Sequence, residues 1–291
     1  MRNWVENEYV ILSGASGGIG KELCKLLICQ YNARVIGIGR NEEKMRSLME
    51  ELGDKVSFFT PYFFDVSDKS AWENFAEDLR QKKIQPRLLI NNAGMFPTFD
   101  KALSTSIETV EKIMKVNYFS IAYAVEAISP LLAGSMEKKK NGKPIDLPGI
   151  VNVASSASLC STVGTSAYSA SKSAVRSYTE VLQLEEKGKK YVGVICPGVT
   201  ATNLFDSDVN TKNSALDKIA MPVEKMASKI AKRILKKKKR SVLGWDAKLM
   251  NFTAKIMPVK GIALIAWGMK KSKSKVFKNI FVDEDVAKEN K

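Results

Sequence analysis

The stretch YVILSGASGGIGKEL, residues 9–23, decides the fold. An apolar run ends in a turn carrying Gly14, Gly18 and Gly20, and a segment of helical pattern follows. Glycine lets the backbone turn sharply and come close to a phosphate, while the helix behind it offers free amides to an anion. The spacing is G-x-x-x-G-x-G rather than G-x-G-x-x-G, and its place between strand and helix points to a bound nucleotide. A turn that only packs strand against helix is the plain alternative.

Outward from this turn, six more apolar runs alternate with amphipathic segments of helical length. They are 33–38, 56–64, 87–91, 149–155, 191–196 and 241–244. Unbroken apolar runs belong to strands buried on both faces, as in parallel sheets covered by helices. The alternation predicts an α/β, doubly wound, mostly parallel seven-stranded sheet flanked by helices. The polar stretch 134–144 reads as a surface loop before the fifth strand, and the chain has no internal repeat.

The second run ends GIGRNEEK. An acid at this place holds the ribose hydroxyls of NAD, whereas an arginine meets the extra phosphate of NADP. Gly39 stands where the acid would be and Arg40 follows it. Glu42 and Glu43 suit the first turn of a helix capped by Asn41. A solvated surface charge is the other reading of Arg40; the pattern favours NADP(H).

The 291 residues include no histidine. That excludes Ser-His-Asp and Cys-His nucleophiles and any histidine-bearing zinc site. Cys24, Cys29, Cys160 and Cys196 form no C-x-x-C pair, so no metal site is expected. Reduced thiols and the absence of a secretory pattern place the protein in the cytoplasm as an expectation. A proton must therefore be moved by another group. Tyr168 and Lys172, in YSASK, lie four residues apart and share one helix face. A neighbouring ammonium stabilises phenolate and brings the phenol from about 10 towards the working pH. Alone, the pair could equally be a surface helix pair.

Several ordered motifs accompany it: the glycine turn, DV at Asp65 and Val66, NNAG from Asn91 to Gly94, and VN at Val116 and Asn117. VNVASS at 151–156, YSASK and PGVTAT at 197–202 complete the series. On these the chain resembles the short-chain dehydrogenase/reductase family, over about residues 7–245. The resemblance implies a Rossmann-type catalytic domain at 1–245 and a basic helical C-terminal extension at 246–291. It implies Tyr168 as catalytic acid or base, with Lys172 lowering its pKa and holding the nicotinamide ribose. Ser155 would hold the substrate oxygen, with Ser156 the candidate if the register slips by one. Asn117 would fix a water in a proton relay; a polar residue kinking its helix is the bland reading. For the cofactor it implies Gly14, Ser16, Gly18, Ile19, Gly20, Arg40, Asp65, Val66, Asn91, Ala93, Gly94, Pro197, Gly198 and Thr202, with Tyr168 and Lys172. Ser13 stands where the family usually has threonine, and it keeps the hydroxyl.

The segment after Gly198 is where the family places its substrate-covering loop. Leu204, Phe205, Leu216 and Met221 could line an apolar pocket there, joined by Leu159, Cys160 and Val163. Simple packing is the alternative for the last three. Substrate contacts are thus expected from Ser155, Tyr168, Cys160, Leu204 and Phe205. The segment has no arginine to clamp a carboxylate, so a bulky apolar ketone or secondary alcohol is expected. A hydroxysteroid comes first and a long-chain 3-keto lipid second.

The net charge of +15 is uneven. Residues 225–291 hold 19 of the 46 Lys+Arg and only 5 of the 31 Asp+Glu, so the rest is nearly neutral. Met226, Ile230 and Ile234 recur every four residues and predict a packed helix face. The longest uncharged stretch beyond them, 261–269, is too short to span a bilayer. Three readings of the extension stand: folding back over the cleft or a dimer edge, peripheral membrane contact, and nucleic-acid binding. The last has no accompanying motif, and nucleic acid is not expected as a partner. A membrane- or polyanion-binding protein is the function of another class. The family resemblance implies a homodimer or homotetramer through helices near 105–133 and 168–187.

Overall fold

The computed structural model describes residues 3–134, 139–140, 143–144, 146–202, 219–272, 274, 277 and 280–281. Seven strands form one sheet: β1 (Tyr9–Ser13), β2 (Arg34–Gly39), β3 (Phe59–Phe63), β4 (Leu88–Asn91), β5 (Gly149–Val153), β6 (Tyr191–Pro197) and β7 (Arg240–Leu243). Their order is β7-β6-β5-β4-β1-β2-β3, and every neighbouring pair is parallel.

The apolar runs form strands because alternate side chains enter two different cores. From β1, Val10 and Leu12 join one face with Leu88, Ile90 and Val151. Ile11 joins the other with Ile36, Leu89 and Ile150. The first core is closed by helices α1 (Gly18–Cys29), α2 (Glu42–Leu52) and α7 (Val223–Leu235). Met226, Ile230 and Ile234, the predicted face of α7, are fully buried there. The second is closed by α3 (Lys69–Gln81), α5 (Ser120–Ile128) and α6 (Ser166–Glu185), through Trp72, Phe75, Ile121 and Val175. Each such aliphatic side chain contributes about 1.5–3 kcal/mol when fully buried.

The third strand is shorter than its apolar run. Residues 53–58 form a 3₁₀ turn that opens at Gly53, where φ is +51°, and the strand starts at Phe59. Pro61 is tolerated because β3 is an edge that pairs only with β2. The winding direction reverses between β1 and β4, and there the carboxyl ends of the strands open a crevice. Around it lie α4 (Ile107–Met114), a π-helical turn (Lys115–Phe119) and the loop from Asn92 to Ser106. Beyond β7 come α8 (Trp245–Ile256) and α9 (Lys260–Lys271).

Candidate active site

The glycine turn sits at the mouth of this crevice. Gly14 and Gly18 adopt φ of +69° and +48°, a region side-chain-bearing residues avoid. A Cβ on Gly20 would lie 2.8 Å from the Gly14 carbonyl carbon and overlap its oxygen. Gly17 caps α1 without a side-chain hydrogen bond, and the first turn carries no acid, so this positive helix end is left for an anion. The Ser13 hydroxyl accepts from the amides of Asn92 and Ala93, both at 3.0 Å, which ties β1 to the end of β4. Thr202 closes the turn from above, 3.2 Å from where a Gly18 Cβ would be. Ser16 lies beside Gly39, and Ile19 packs against the first core.

At the end of β2, Arg40 pairs with Asp65 at 3.0 Å, and both are exposed enough to meet a ligand. Burial would raise the Asp65 carboxyl, but the Ser67 amide and hydroxyl and the Arg40 guanidinium together hold it below its usual value. These residues, with Lys112 and Lys115, line a cavity of about 220 Å³. Val66 is buried, and its carbonyl accepts from the Trp72 indole at 2.9 Å. The Asn91 side chain is turned into the core: it donates to Asn152 at 2.8 Å, which donates to Thr179 at 3.0 Å. A nicotinamide dinucleotide fits these residues: a cradle of glycines, an unfilled helix end, and a cation where an adenosine ribose would carry its substituents.

Tyr168, Ser155, Lys172 and Asn117 converge at the carboxyl ends of β4 and β5. The N-terminal part of α6 carries Tyr168 and Lys172, and Ser155 follows β5 in extended conformation. The Ser155 hydroxyl accepts from the Ala157 amide at 3.2 Å and lies close enough to the Tyr168 phenol to pull its pKa down. Ser156 is buried beside it. The Lys172 ammonium donates to the Val153 carbonyl at 3.1 Å and lies 6.0 Å from the Tyr168 ring centroid. Asn117 is fully buried on the π-helical turn. Its side chain accepts from the Met95 amide at 2.7 Å and donates to the Met95 carbonyl and Ser171 hydroxyl, both at 3.0 Å. Gly94 lets this group close up: a Cβ there would sit 3.1 Å from Lys172 Nζ and 3.2 Å from Asn117 Oδ1.

The electrostatics differ from the expectation. Burial pushes the Tyr168 phenol above its usual value, and the Ser155 hydrogen bond pulls it back only in part. Burial also lowers Lys172 to about 8, against a small upward pull from Cys196. At about 8 the ammonium is still the main form at neutral pH, and its hydrogen bond goes to the Val153 carbonyl rather than to the phenol.

Cys160 is buried, with its thiol raised by burial, and Leu159 and Met221 pack against the cores. Gly198 makes room for Asp246, whose carboxylate accepts from the Val199 amide at 2.6 Å. Leu204, Phe205 and Leu216 lie outside the described residues.

The wall beside Tyr168 comes from elsewhere. Phe96 packs edge-on against the Tyr168 ring at 5.0 Å, Phe99 against Phe96 at 4.8 Å, and Phe277 against Phe99 at 5.1 Å. Ile280 abuts Gly164, and both Phe277 and Ile280 are buried. Through Phe277 and Ile280 the C-terminal part of the chain thus returns to the aromatic residues beside Tyr168. Phe96, Ile113 and Tyr168 line one side of a second cavity of about 270 Å³, and Asp100 with several serines and threonines lines the rest. The aromatic pair after NNAG was a visible but uninterpreted signal for this wall.

Comparison with known proteins agrees with this arrangement. The family model for short chain dehydrogenase matches residues 8–213. A dehydrogenase/reductase SDR family member 7B of Danio rerio is 30% identical over 253 residues, 82% of this chain and 78% of its own length. The benzil reductase ((S)-benzoin forming) of Saccharomyces cerevisiae is 34% identical over 203 residues, 67% of this chain and 72% of its own. A Shigella flexneri short chain dehydrogenase complexed with NADP has the same fold, with TM-score 0.71 at 21% identity, covering 85% of this chain and 100% of that one. Fold, convergent side chains and family match together make this chain a member of the short-chain dehydrogenase family.

Proposed function

We propose that the protein is an NADP(H)-dependent oxidoreductase that interconverts a ketone and a secondary alcohol on a bulky apolar substrate, with a hydroxysteroid as first choice. The Ser155 and Tyr168 hydroxyls, close enough to interact, beside a cavity that Phe96 and Tyr168 line on one side carry this reading. When bound, the nicotinamide supplies or takes a hydride. Ser155 and Tyr168 grip the substrate oxygen, and Tyr168 gives it a proton in reduction or takes one in oxidation. Lys172 orients the ribose and, when charged, offsets negative charge on the phenol. Asn117 holds Met95 and Ser171 and so keeps the proton path open beside Lys172. Glycines 14, 18 and 20 with Ser16 and Ile19 cradle the pyrophosphate. Asp65, Val66, Asn91, Ala93 and Gly94 follow the adenosine and ribose, while Pro197, Gly198 and Thr202 meet the carboxamide end.

Arg40 supports NADP(H) over NAD(H): Gly39 stands where the acid would be, and the Arg40 side chain is about two-thirds exposed. The apolar wall of Phe96, Phe99 and Phe277 supports a hydrophobic substrate, with Cys160, Leu204 and Phe205 as further contacts. A long-chain 3-keto lipid is the second choice on the same evidence. Exposed Phe119, Val181 and Leu184 on the helices expected to pair support a homodimer or homotetramer. The reading includes a catalytic unit at 1–245, a basic extension at 246–291 that touches membranes, and a cytoplasmic setting supported by four free cysteines. No helix among the described residues is long and apolar enough to cross a membrane.

The test is NADPH and NADH oxidation at 340 nm over a panel of ketosteroids, bile-acid ketones and 3-keto lipids. Turnover with NADPH, reduced about 10²–10⁴-fold in Tyr168→Phe, is expected. Equal rates in Tyr168→Phe would overturn the assignment.

A further inference from the structure

Helices α8 and α9 pack against each other inside out. Small or polar residues, Ala247, Thr253 and Gly261, face inward, and Gly261 sits so close to Thr253 that a Cβ would lie 2.9 Å from its methyl group. The large apolar residues face outward. Trp245, Leu249, Phe252 and Ile256 recur at helical spacing along α8, each more than half exposed. Val259, Leu264 and Trp267 continue the surface on α9 and the turn before it, each half exposed or more. Nine of the fifteen exposed large apolar side chains in the described residues lie between 245 and 267. Exposed Lys248, Lys255, Lys260 and Lys271 accompany them, and the hairpin's one acid, Asp246, is buried.

We propose that this hairpin docks the protein on the surface of an anionic membrane, lying in the plane of the headgroups. The inference deepens the proposed membrane contact by assigning the surface and its partner. Each helix has 12 residues, about 18 Å, short of the roughly 30 Å hydrocarbon layer, so it lies along the surface instead of crossing it. Apolar side chains entering the acyl boundary, with lysines left among lipid phosphates, match the chemistry of such a surface. A second copy of the chain fits poorly, because a two-fold contact through this face would set lysine against lysine with no acid between them. Asp246 fixes the hairpin's base to Val199 beside the candidate active site, so docking and catalysis share one rigid attachment.

The tryptophans make a built-in probe: Trp4 and Trp72 are buried, whereas Trp245 and Trp267 are exposed on the hairpin. The full chain is mixed with phosphatidylcholine vesicles, with or without phosphatidylserine, and followed by emission and by pelleting. A blue shift and pelleting are expected with phosphatidylserine, weakening as salt rises. Lys248→Gln/Lys255→Gln/Lys260→Gln should weaken binding about 100-fold, and Leu249→Ser/Phe252→Ser at least about tenfold. Both variants lie outside the catalytic residues and should turn over a soluble ketone at the parental rate, so vesicle binding and the oxidoreductase reading fail separately. Unshifted emission with every vesicle would overturn the proposal. So would a vesicle-free dimer that Leu249→Ser/Phe252→Ser dissolves, which would assign the face to a second copy.

Discussion

Replacing Gly20 by alanine sets two effects of opposite sign against each other. Gly20 lies in the first turn of α1, and alanine is better than glycine inside a helix by about 1 kcal/mol. Its φ is not in the left-handed region, so no backbone strain opposes the change. Helix propensity alone therefore predicts a more stable protein. The contact predicts otherwise. The new methyl would lie 2.8 Å from the Gly14 carbonyl carbon and 2.7 Å from the Asn92 side-chain Nδ2, where carbon atoms ordinarily approach to about 3.5–4 Å. The obstacle is backbone, so the turn must open by about 1 Å. That displaces the amides aimed at the pyrophosphate, and losing one charge-assisted hydrogen bond costs about 1.5–3 kcal/mol. Affinity for NADPH should fall about 10- to 150-fold, read by quenching of protein fluorescence or by calorimetry. Thermal melting should show no gain. A Gly20→Ala protein that melts higher and binds NADPH within about twofold of the parent would refute the argument.

Three further outcomes are expected. Arg40→Ser should weaken NADPH binding about tenfold or more and leave NADH nearly unchanged, which paired titrations would reveal. Lys172 is held near 8 against an unfolded value of 10.5, so the folded state resists its charge. The penalty is full below pH 8 and fades as pH rises towards 10.5; Lys172→Met should therefore gain about 2 kcal/mol in urea melts near neutral pH, after subtracting about 1.5 kcal/mol for the lost Val153 hydrogen bond, and fall below the parent by about that lost bond at the alkaline end. Asp246→Ala should lose about 0.5–1.5 kcal/mol and speed proteolysis between α8 and α9, because the part-buried Val199 amide is left without its acceptor; Asp246→Asn, which keeps an acceptor, should lose much less.

The sheet was legible because strands buried on both faces announce themselves as apolar runs: β1, β2 and β4 to β7 fall within a residue or two of theirs. Only β3 is clearly shorter, where Gly53 diverts the chain into a 3₁₀ turn. Ser155, Tyr168, Lys172 and Asn117 could be read because each sits in a short local motif, and the structure brings them together. Burial was what the motif concealed. Lys172 is buried and Tyr168 partly so, desolvation shifts both, and spacing along a helix says nothing of that. The aromatic wall escaped for another reason: Phe99 and Phe277 meet across 178 positions of chain, and Asp246 reaches Val199 across 47, leaving no local pattern.

The Asn91–Asn152–Thr179 chain has a consequence for how the sheet is assembled. Strands β4 and β5 are buried on both faces, so sliding one past the other by a residue would still bury aliphatic groups on each side. Hydrophobicity therefore cannot choose their alignment. The amides can. Asn91 stands opposite Asn152, and a slip would leave polar groups unpaired in a dry interior at about 1–3 kcal/mol each. These three side chains act as an index mark, which lets the sheet close in a single alignment and so delivers Ser155, a few residues beyond Asn152, to its place opposite Tyr168.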